Sequence, residues 1–141
     1  MKKQLQFLTF ILMVAFVQSC APVDPVTPDT GDVRDKYKGT WLFIENPVKS
    51  GLNSSFMVVI SLNSSNSSQV LISNFGNPGS GSNAVNGIVT SSGIVVTSQS
   101  SAPDFVVEGS GTLTNASVMD WTYSIKAGAD MTTYHAIATK Q

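Results

Sequence analysis

From Gly39 to the end of the chain, short runs of β-branched and aromatic residues alternate with runs of Ser, Asn, Gly and Pro. This pattern is typical of β-strands that are separated by turns. None of the runs has the 3.6-residue periodicity of a helix, and every connection is short enough to join antiparallel neighbours. Eight strands are therefore predicted, at 39–45, 55–62, 69–75, 84–90, 93–98, 104–114, 117–126 and 131–139.

The clearest alternation lies in the hairpin 105–125. On its second strand four large apolar residues alternate with more polar ones: Met119, Trp121, Tyr123 and Ile125. A three-residue loop at 115–117 predicts the pairs Leu113–Met119, Gly111–Trp121, Gly109–Tyr123 and Val107–Ile125. A slip of one residue would turn the whole apolar face outwards. In this register two glycines lie opposite aromatic residues, so that a ring can cover the bare backbone and the wall can bend.

The strand count predicts an all-β domain, an eight-stranded antiparallel up-and-down barrel. A two-sheet β-sandwich is the alternative. Eight strands enclose an interior that side chains just fill or that holds one small ligand. Large apolar residues are numerous, which favours a filled core. The candidates for lining that core or a ligand cavity are Trp41, Phe105, Trp121 and Tyr123.

The beginning of the chain has a different pattern. Lys2 and Lys3 precede thirteen largely apolar residues, 5–17, which indicates a secretory signal peptide at 1–19. The run is shorter than the roughly 20 residues that a membrane-spanning helix needs. Cys20, the only cysteine, follows directly. No disulfide can therefore form within the chain.

The segment 17–20, Val-Gln-Ser-Cys, resembles the lipobox of bacterial lipoproteins. The resemblance implies that Cys20 becomes the lipid-modified first residue of the mature chain. The alternative is an ordinary signal peptide followed by an unmodified cysteine. Lipidation would attach the protein to a membrane.

Residues 20–36 are predicted to be a tether. Pro22, Pro25 and Pro28 recur every three residues, which is the repeat of a polyproline II rod. A disordered segment would give the same tether with a shorter mean reach. The predicted organisation is therefore a signal peptide at 1–19, the lipidated cysteine and tether at 20–36, and the barrel at 37–141.

The net charge and the reactive side chains of the chain argue against several classes of function. Without the signal peptide the chain has six basic and nine acidic side chains and no Lys/Arg cluster, so no nucleic-acid partner is expected. One histidine, His135, and a lipidated cysteine cannot supply a zinc site, and nothing indicates a base-orienting group for a catalytic triad. Glu108 and Asp120 are about four residues apart along the hairpin, roughly 13 Å and too far for a glycosidase pair. No enzymatic activity, metal or cofactor is predicted.

The order and spacing of several short segments resemble small lipid-anchored proteins of Bacteroidetes-type bacteria that have a compact lipocalin-like β-domain, so the resemblance implies a barrel of the lipocalin-like or calycin-like kind. These segments are 37–41, 70–76, 97–99, 109–113, 121–123 and 138–141. The resemblance implies a cell-envelope location, in the outer membrane rather than the inner one and facing the periplasm or the cell surface. It implies no activity. Where that group often has a cysteine pair, this chain has Glu45-Asn46 and Asp130-Met131.

The segment Gly39-Thr40-Trp41 also resembles the Gly-x-Trp signature of lipocalins. The resemblance implies that Trp41 plugs the base of the barrel. Lipocalins place an arginine over this tryptophan after the last strand, and Lys140 is the residue that this chain offers there.

Two classes of function compete. The favoured one is a non-catalytic structural or interaction module with a filled barrel, which would contact a protein or glycan through the loops 46–54 and 76–83, the longest and richest in Gly, Pro and Asn. The alternative is a lipocalin-like binder of a small apolar or glycan ligand, and an enzyme comes third. A monomer is expected.

Overall fold

The computed structural model describes residues 31–47 and 53–141, and these residues form eight β-strands and no helix. Each predicted strand is present. The strands are β1 (Gly39–Pro47), β2 (Ser54–Leu62), β3 (Gln69–Ser73), β4 (Val85–Val89), β5 (Gly93–Ala102), β6 (Phe105–Asn115), β7 (Val118–Ala127) and β8 (Asp130–Lys140).

The strands form one closed barrel in which every strand pairs with the next along the chain, antiparallel throughout. β1 pairs with β8 from Trp41↔Lys140 to Pro47↔Tyr134 and so closes the wall. The predicted up-and-down barrel is confirmed and the sandwich alternative is wrong. No helix in the described part of the chain is long and apolar enough to span a membrane. The predicted signal peptide, Cys20 and the proline repeat lie outside the described residues.

The predicted register of the β6–β7 hairpin is confirmed, but the predicted loop is not. All four predicted pairs are present, from Leu113↔Met119 to Val107↔Ile125. The loop has two residues instead of three, because Asn115 pairs with Val118. The register shifts by one residue between Leu113 and Asn115, so the pairs before this shift remain as predicted. The Asn115 side chain accepts a hydrogen bond from the backbone N–H of Ser117 at 2.9 Å, which tightens the turn.

Each strand has at least one end that differs from the prediction, mostly by one or two residues, and the ends of β5 and β3 have identifiable causes. β5 continues beyond residue 98 to Ala102 through two register shifts. β3 ends at Ser73, before Phe75, because Asn74 and Gly76 adopt the left-handed conformation with φ of 61° and 74°. The chain therefore turns inwards, and Phe75 inserts into the barrel with 1% of its surface exposed.

The barrel interior is filled by packed aromatic rings. Trp41, Trp121 and Tyr123 are fully buried, whereas Phe105 is half-buried. The ring centroid of Phe75 lies 5.1 Å from that of Trp121 and 4.9 Å from that of Tyr123. Such pairs contribute about 0.5–1.5 kcal/mol each beyond the burial of their area. The core therefore extends from the base, at Trp41, to the plug that Phe75 provides.

The two glycines of the hairpin accommodate close neighbours in different ways. The indole of Trp121 occupies the place that a Cβ on Gly111 would take, so the predicted ring over bare backbone is confirmed there. At Gly109 the nearest atoms are instead the Cβ and Cα of Tyr123 and the carbonyl oxygen of Thr122. At Gly109 the missing side chain therefore allows the strands themselves to approach.

The segment that leads into β1 packs on the barrel. Arg34 is 8% exposed, and its guanidinium donates hydrogen bonds of 2.9–3.0 Å to the carbonyl oxygens of Asn63, Asn66 and Gln69. It also forms an ion pair with Asp32, 2.6 Å between Nη2 and Oδ2. The compact unit therefore begins at Gly31, so residues 31–36 of the predicted tether belong to it.

Trp41 closes the base of the barrel, and Lys140 covers it. Trp41 is fully buried and donates from Nε1 to the carbonyl oxygen of Tyr37 at 2.8 Å. The Lys140 ammonium lies over the indole, 5.4 Å from its centroid, and donates to the carbonyl oxygen of Lys36 at 3.1 Å. A cation thus covers the tryptophan, as lysine instead of arginine.

Candidate functional site

A cleft of about 260 Å³ lies at the mouth of the barrel, the end opposite Trp41. The connections β3–β4, β5–β6 and β7–β8 lie at this end, as do the end of β1 and the start of β2, because the strands alternate in direction. Residues from four strands and one loop surround the cleft: Glu45, Gly76, Asn77, Phe105, Ile125, Ala127, Asp130, Thr132 and Tyr134.

Glu45 is the buried acid of this cleft. It follows Trp41 and Phe43 in the inward-facing alternation of β1, so its side chain also points into the barrel and is only 6% exposed. Its carboxylate accepts hydrogen bonds from the Ser54 hydroxyl on β2 and the Tyr123 hydroxyl on β7. Within the described residues, no basic side chain forms an ion pair with Glu45. The carboxylate is thus held by neutral donors.

Tyr123 fixes the orientation of this acid. Burial, and then the hydrogen bond to Glu45, raise the pKa of Tyr123 far above its ordinary value of 10.0. The phenol therefore stays protonated at physiological pH and remains a donor to the carboxylate. Tyr134 stacks on Tyr123 with 5.7 Å between ring centroids and forms one wall of the cleft.

The remaining wall is mixed in character. Phe105 and Ile125 supply apolar surface, and Asp130 and Thr132 supply polar groups at the rim. Asn77 enters from the β3–β4 loop in the left-handed conformation, with φ of 54°. The cleft is therefore acidic and partly aromatic.

The predicted site residues divide between core and cleft. Phe105 lines the cleft and Tyr123 holds its acid, whereas Trp41 and Trp121 lie in the packed interior. The predicted contact loop 76–83 contributes Gly76 and Asn77 to the cleft. Of the other predicted loop, 46–54, the flanking residues 46, 47, 53 and 54 lie at the same end, and residues 48–52 are outside the described part of the chain.

Sequence reasoning missed Glu45 and Tyr134 as site residues. The available signal for Glu45 was its place in the alternation Trp41-Leu42-Phe43-Ile44-Glu45, which puts a charged residue at an inward position of β1. A charge at such a position is rare without a partner or a role. Tyr134 carried no comparable signal.

The outer wall holds one pair of titratable groups. His135 Nε2 lies 2.7 Å from Asp120 Oδ1, and both side chains are nearly half exposed. Among the described residues, no other side chain forms an ion pair with His135 or Asp120. Those residues also contain no group of three or more His, Cys, Asp or Glu that could hold a metal ion.

The fold and the cleft define a small closed β-barrel with a filled core and an acidic cleft at its mouth. No protein-family model matches the chain, and no curated protein matches it. Among solved structures, the chain is similar to a crystal structure from Bacteroides fragilis named "putative outer membrane protein", with 15% identity and a TM-score of 0.49. The match covers 78% of this chain and 53% of that one, so this chain spans about half the length of that protein. A likeness this distant carries no argument about family or function.

Proposed function

We propose that this protein is a cell-envelope lipoprotein, anchored through Cys20, whose barrel is a non-catalytic interaction module that contacts its partner at the mouth. Outer-membrane attachment is favoured over the inner membrane, as the sequence resemblance implies. The support for the anchor is the signal-like segment and the lone cysteine that follows it. The support for an interaction module comes from the barrel itself.

The filled interior is the observation that carries this proposal. Phe75 closes the aromatic core below the mouth, and the cleft above it is about 260 Å³. Clefts that enclose a drug-sized ligand begin at about 300 Å³. A cleft of this size suits a group that protrudes from a larger partner better than a whole lipocalin-type ligand.

Site-specific photocrosslinking in cells of the source organism tests the proposal. A photoreactive residue at Asn77 lies at the mouth, and one at Ala116 lies in the β6–β7 turn at the opposite end. A discrete crosslinked species is expected from position 77 and not from position 116. Equal crosslinking at both ends, or none at either, would contradict a contact at the mouth.

A further inference from the structure

We propose that the mouth cleft binds an alkylammonium group, either a free amine or the side chain of a lysine on a partner. This inference rests on the proposed interaction role and names the chemistry that the cleft recognises. It comes from the conjunction of a buried carboxylate, an aromatic wall and the absence of a described basic side chain among the lining residues.

The charges of the cleft favour a cation. Glu45 and Asp130 both line the cleft, and no Lys or Arg does so within the described residues. A buried carboxylate is costly unless a positive charge or several donors compensate it. Two hydroxyls already donate to Glu45, one to each carboxylate oxygen, and each oxygen keeps a further lone pair for a ligand. An ammonium group supplies both the donors and the missing charge.

The aromatic wall favours an alkylammonium over a hydrated metal ion. Tyr134 is half-buried between Tyr123 and the cleft, and Phe105 lines the same space. A cation gains from the face of an aromatic ring, and its methylene groups gain from apolar contact with Phe105 and Ile125. A hydrated metal ion would make no use of this apolar surface.

Other ligand classes fit the cleft less well. An anion would meet two carboxylates. A neutral sugar could stack on Tyr134 and donate to Glu45, but it would leave the charge of the carboxylate uncompensated. The volume of the cleft, about 260 Å³, also suits a small terminal group such as an alkylammonium, because an extended ligand requires a larger space.

The test is an NMR titration. Each probe is added to the full-length protein in a non-ionic maltoside detergent, and binding is measured from the changes in chemical shift. The probes are n-butylammonium and its neutral counterpart 1-butanol. We expect n-butylammonium to bind with Kd on the order of millimolar and at least about tenfold more tightly than 1-butanol. Equal affinity for the two probes, or no binding of n-butylammonium, would overturn the proposal.

Two variants locate the binding site. Glu45→Gln keeps the shape of the side chain and one acceptor oxygen, for either Tyr123 or Ser54, but removes the charge. It should weaken n-butylammonium binding about tenfold or more while leaving 1-butanol unchanged. Glu108→Gln removes the same charge outside the cleft and should leave both affinities unchanged. Asp130→Asn, at the exposed rim, should weaken n-butylammonium about two- to threefold and keeps the test valid if Glu45→Gln fails to fold. Unchanged affinity in both cleft variants would contradict the assignment.

Two further comparisons identify the source of the ammonium group. N-acetyl-lysine methylamide and its neutral norleucine analogue are titrated separately. If the lysine compound binds more tightly than n-butylammonium, the source is a lysine of a partner; if it binds more weakly, the source is a free amine.

The variant Lys49→Gln is measured in parallel, because an ammonium group of the chain itself would compete with the probe. Affinity in Lys49→Gln at least equal to wild type agrees with the proposal, and loss of binding contradicts it. Crosslinking from Asn77 without any binding of these probes would reject the ammonium inference and retain the interaction module.

Discussion

Tyr123 donates a hydrogen bond to the carboxylate of Glu45 across the barrel, although 78 positions separate the two residues. Their strands, β7 and β1, are not neighbours, because β8 lies between them. The bond therefore connects two strands that do not pair with each other, through the interior of the barrel. It also holds the only buried acid of the mouth among the described residues in a fixed orientation.

Removing the Tyr123 hydroxyl should destabilise the barrel. Tyr123→Phe leaves the buried Glu45 carboxylate with one donor fewer, which is expected to cost about 1–3 kcal/mol of the free energy of unfolding. Urea unfolding measures the difference. The control is Tyr134→Phe, which keeps the stacked ring and removes a hydroxyl that is less buried. Equal effects of the two variants would show that the bond to Glu45 contributes nothing specific.

A side chain at Gly111 should conflict with Trp121. The indole occupies the space that a Cβ would need, and a packed ring cannot withdraw as a flexible chain end can. Gly111→Val is therefore expected to destabilise the fold by about 1–3 kcal/mol. Ser110→Val, on the exposed face of the same strand, should change the melting temperature little. An unchanged melting temperature in Gly111→Val would contradict the packing described for Trp121.

Stability should fall in acid through Asp32. The hydrogen bond from the Arg34 side chain, then that from its backbone N–H, lower the pKa of Asp32 from 3.8 to about 2. Because the folded-state pKa is the lower one, the stabilisation is complete above about pH 4 and is lost as the pH falls through 2. Unfolding monitored between pH 5 and 1.5 should show this loss in wild type and not in Asp32→Asn. Asp35→Asn, which removes the exposed pair with Lys38, should behave like wild type.

The ammonium of Lys140 should stabilise the base. Lys140→Met removes the cation from the Trp41 ring and the hydrogen bond to the Lys36 carbonyl, with an expected loss of about 0.5–1 kcal/mol. Lys140→Arg should retain most of the stability, because a guanidinium can make both interactions. Thermal unfolding gives the comparison. Equal losses in both variants would mean that the contact depends on the lysine geometry and not on a cation over the ring.

Cys20 should carry the membrane anchor. In Cys20→Ser the site of lipid attachment is gone, so the protein should move from the detergent phase to the aqueous phase on Triton X-114 partitioning. The proposed tether and barrel stay intact in this variant. Retention of Cys20→Ser in the membrane fraction would contradict lipid anchoring.

The sequence alone determined the strands and the register of the central hairpin. Side chains alternate across a strand with a period of two, so Met119, Trp121, Tyr123 and Ile125 had to share one face, and a register that buries that face is unique. Runs of Ser, Asn, Gly and Pro marked the turns between the strands, and the number of strands followed from these turns. The same alternation placed Glu45 on the inner face of β1, although its chemical use was not evident there.

The tertiary structure decided what fills the barrel and where a ligand could enter. Phe75 plugs the mouth only because Asn74 and Gly76 turn the chain inwards after β3, a backbone choice that the strand pattern does not encode. The cleft joins Glu45 of β1 with Phe105 of β6 and Tyr134 of β8, which lie 60 or more positions later in the sequence. Alternation assigns each residue to a face, but closure of the wall between β1 and β8 determines which inward residues meet, because those distances depend on the curvature and stagger of the whole barrel.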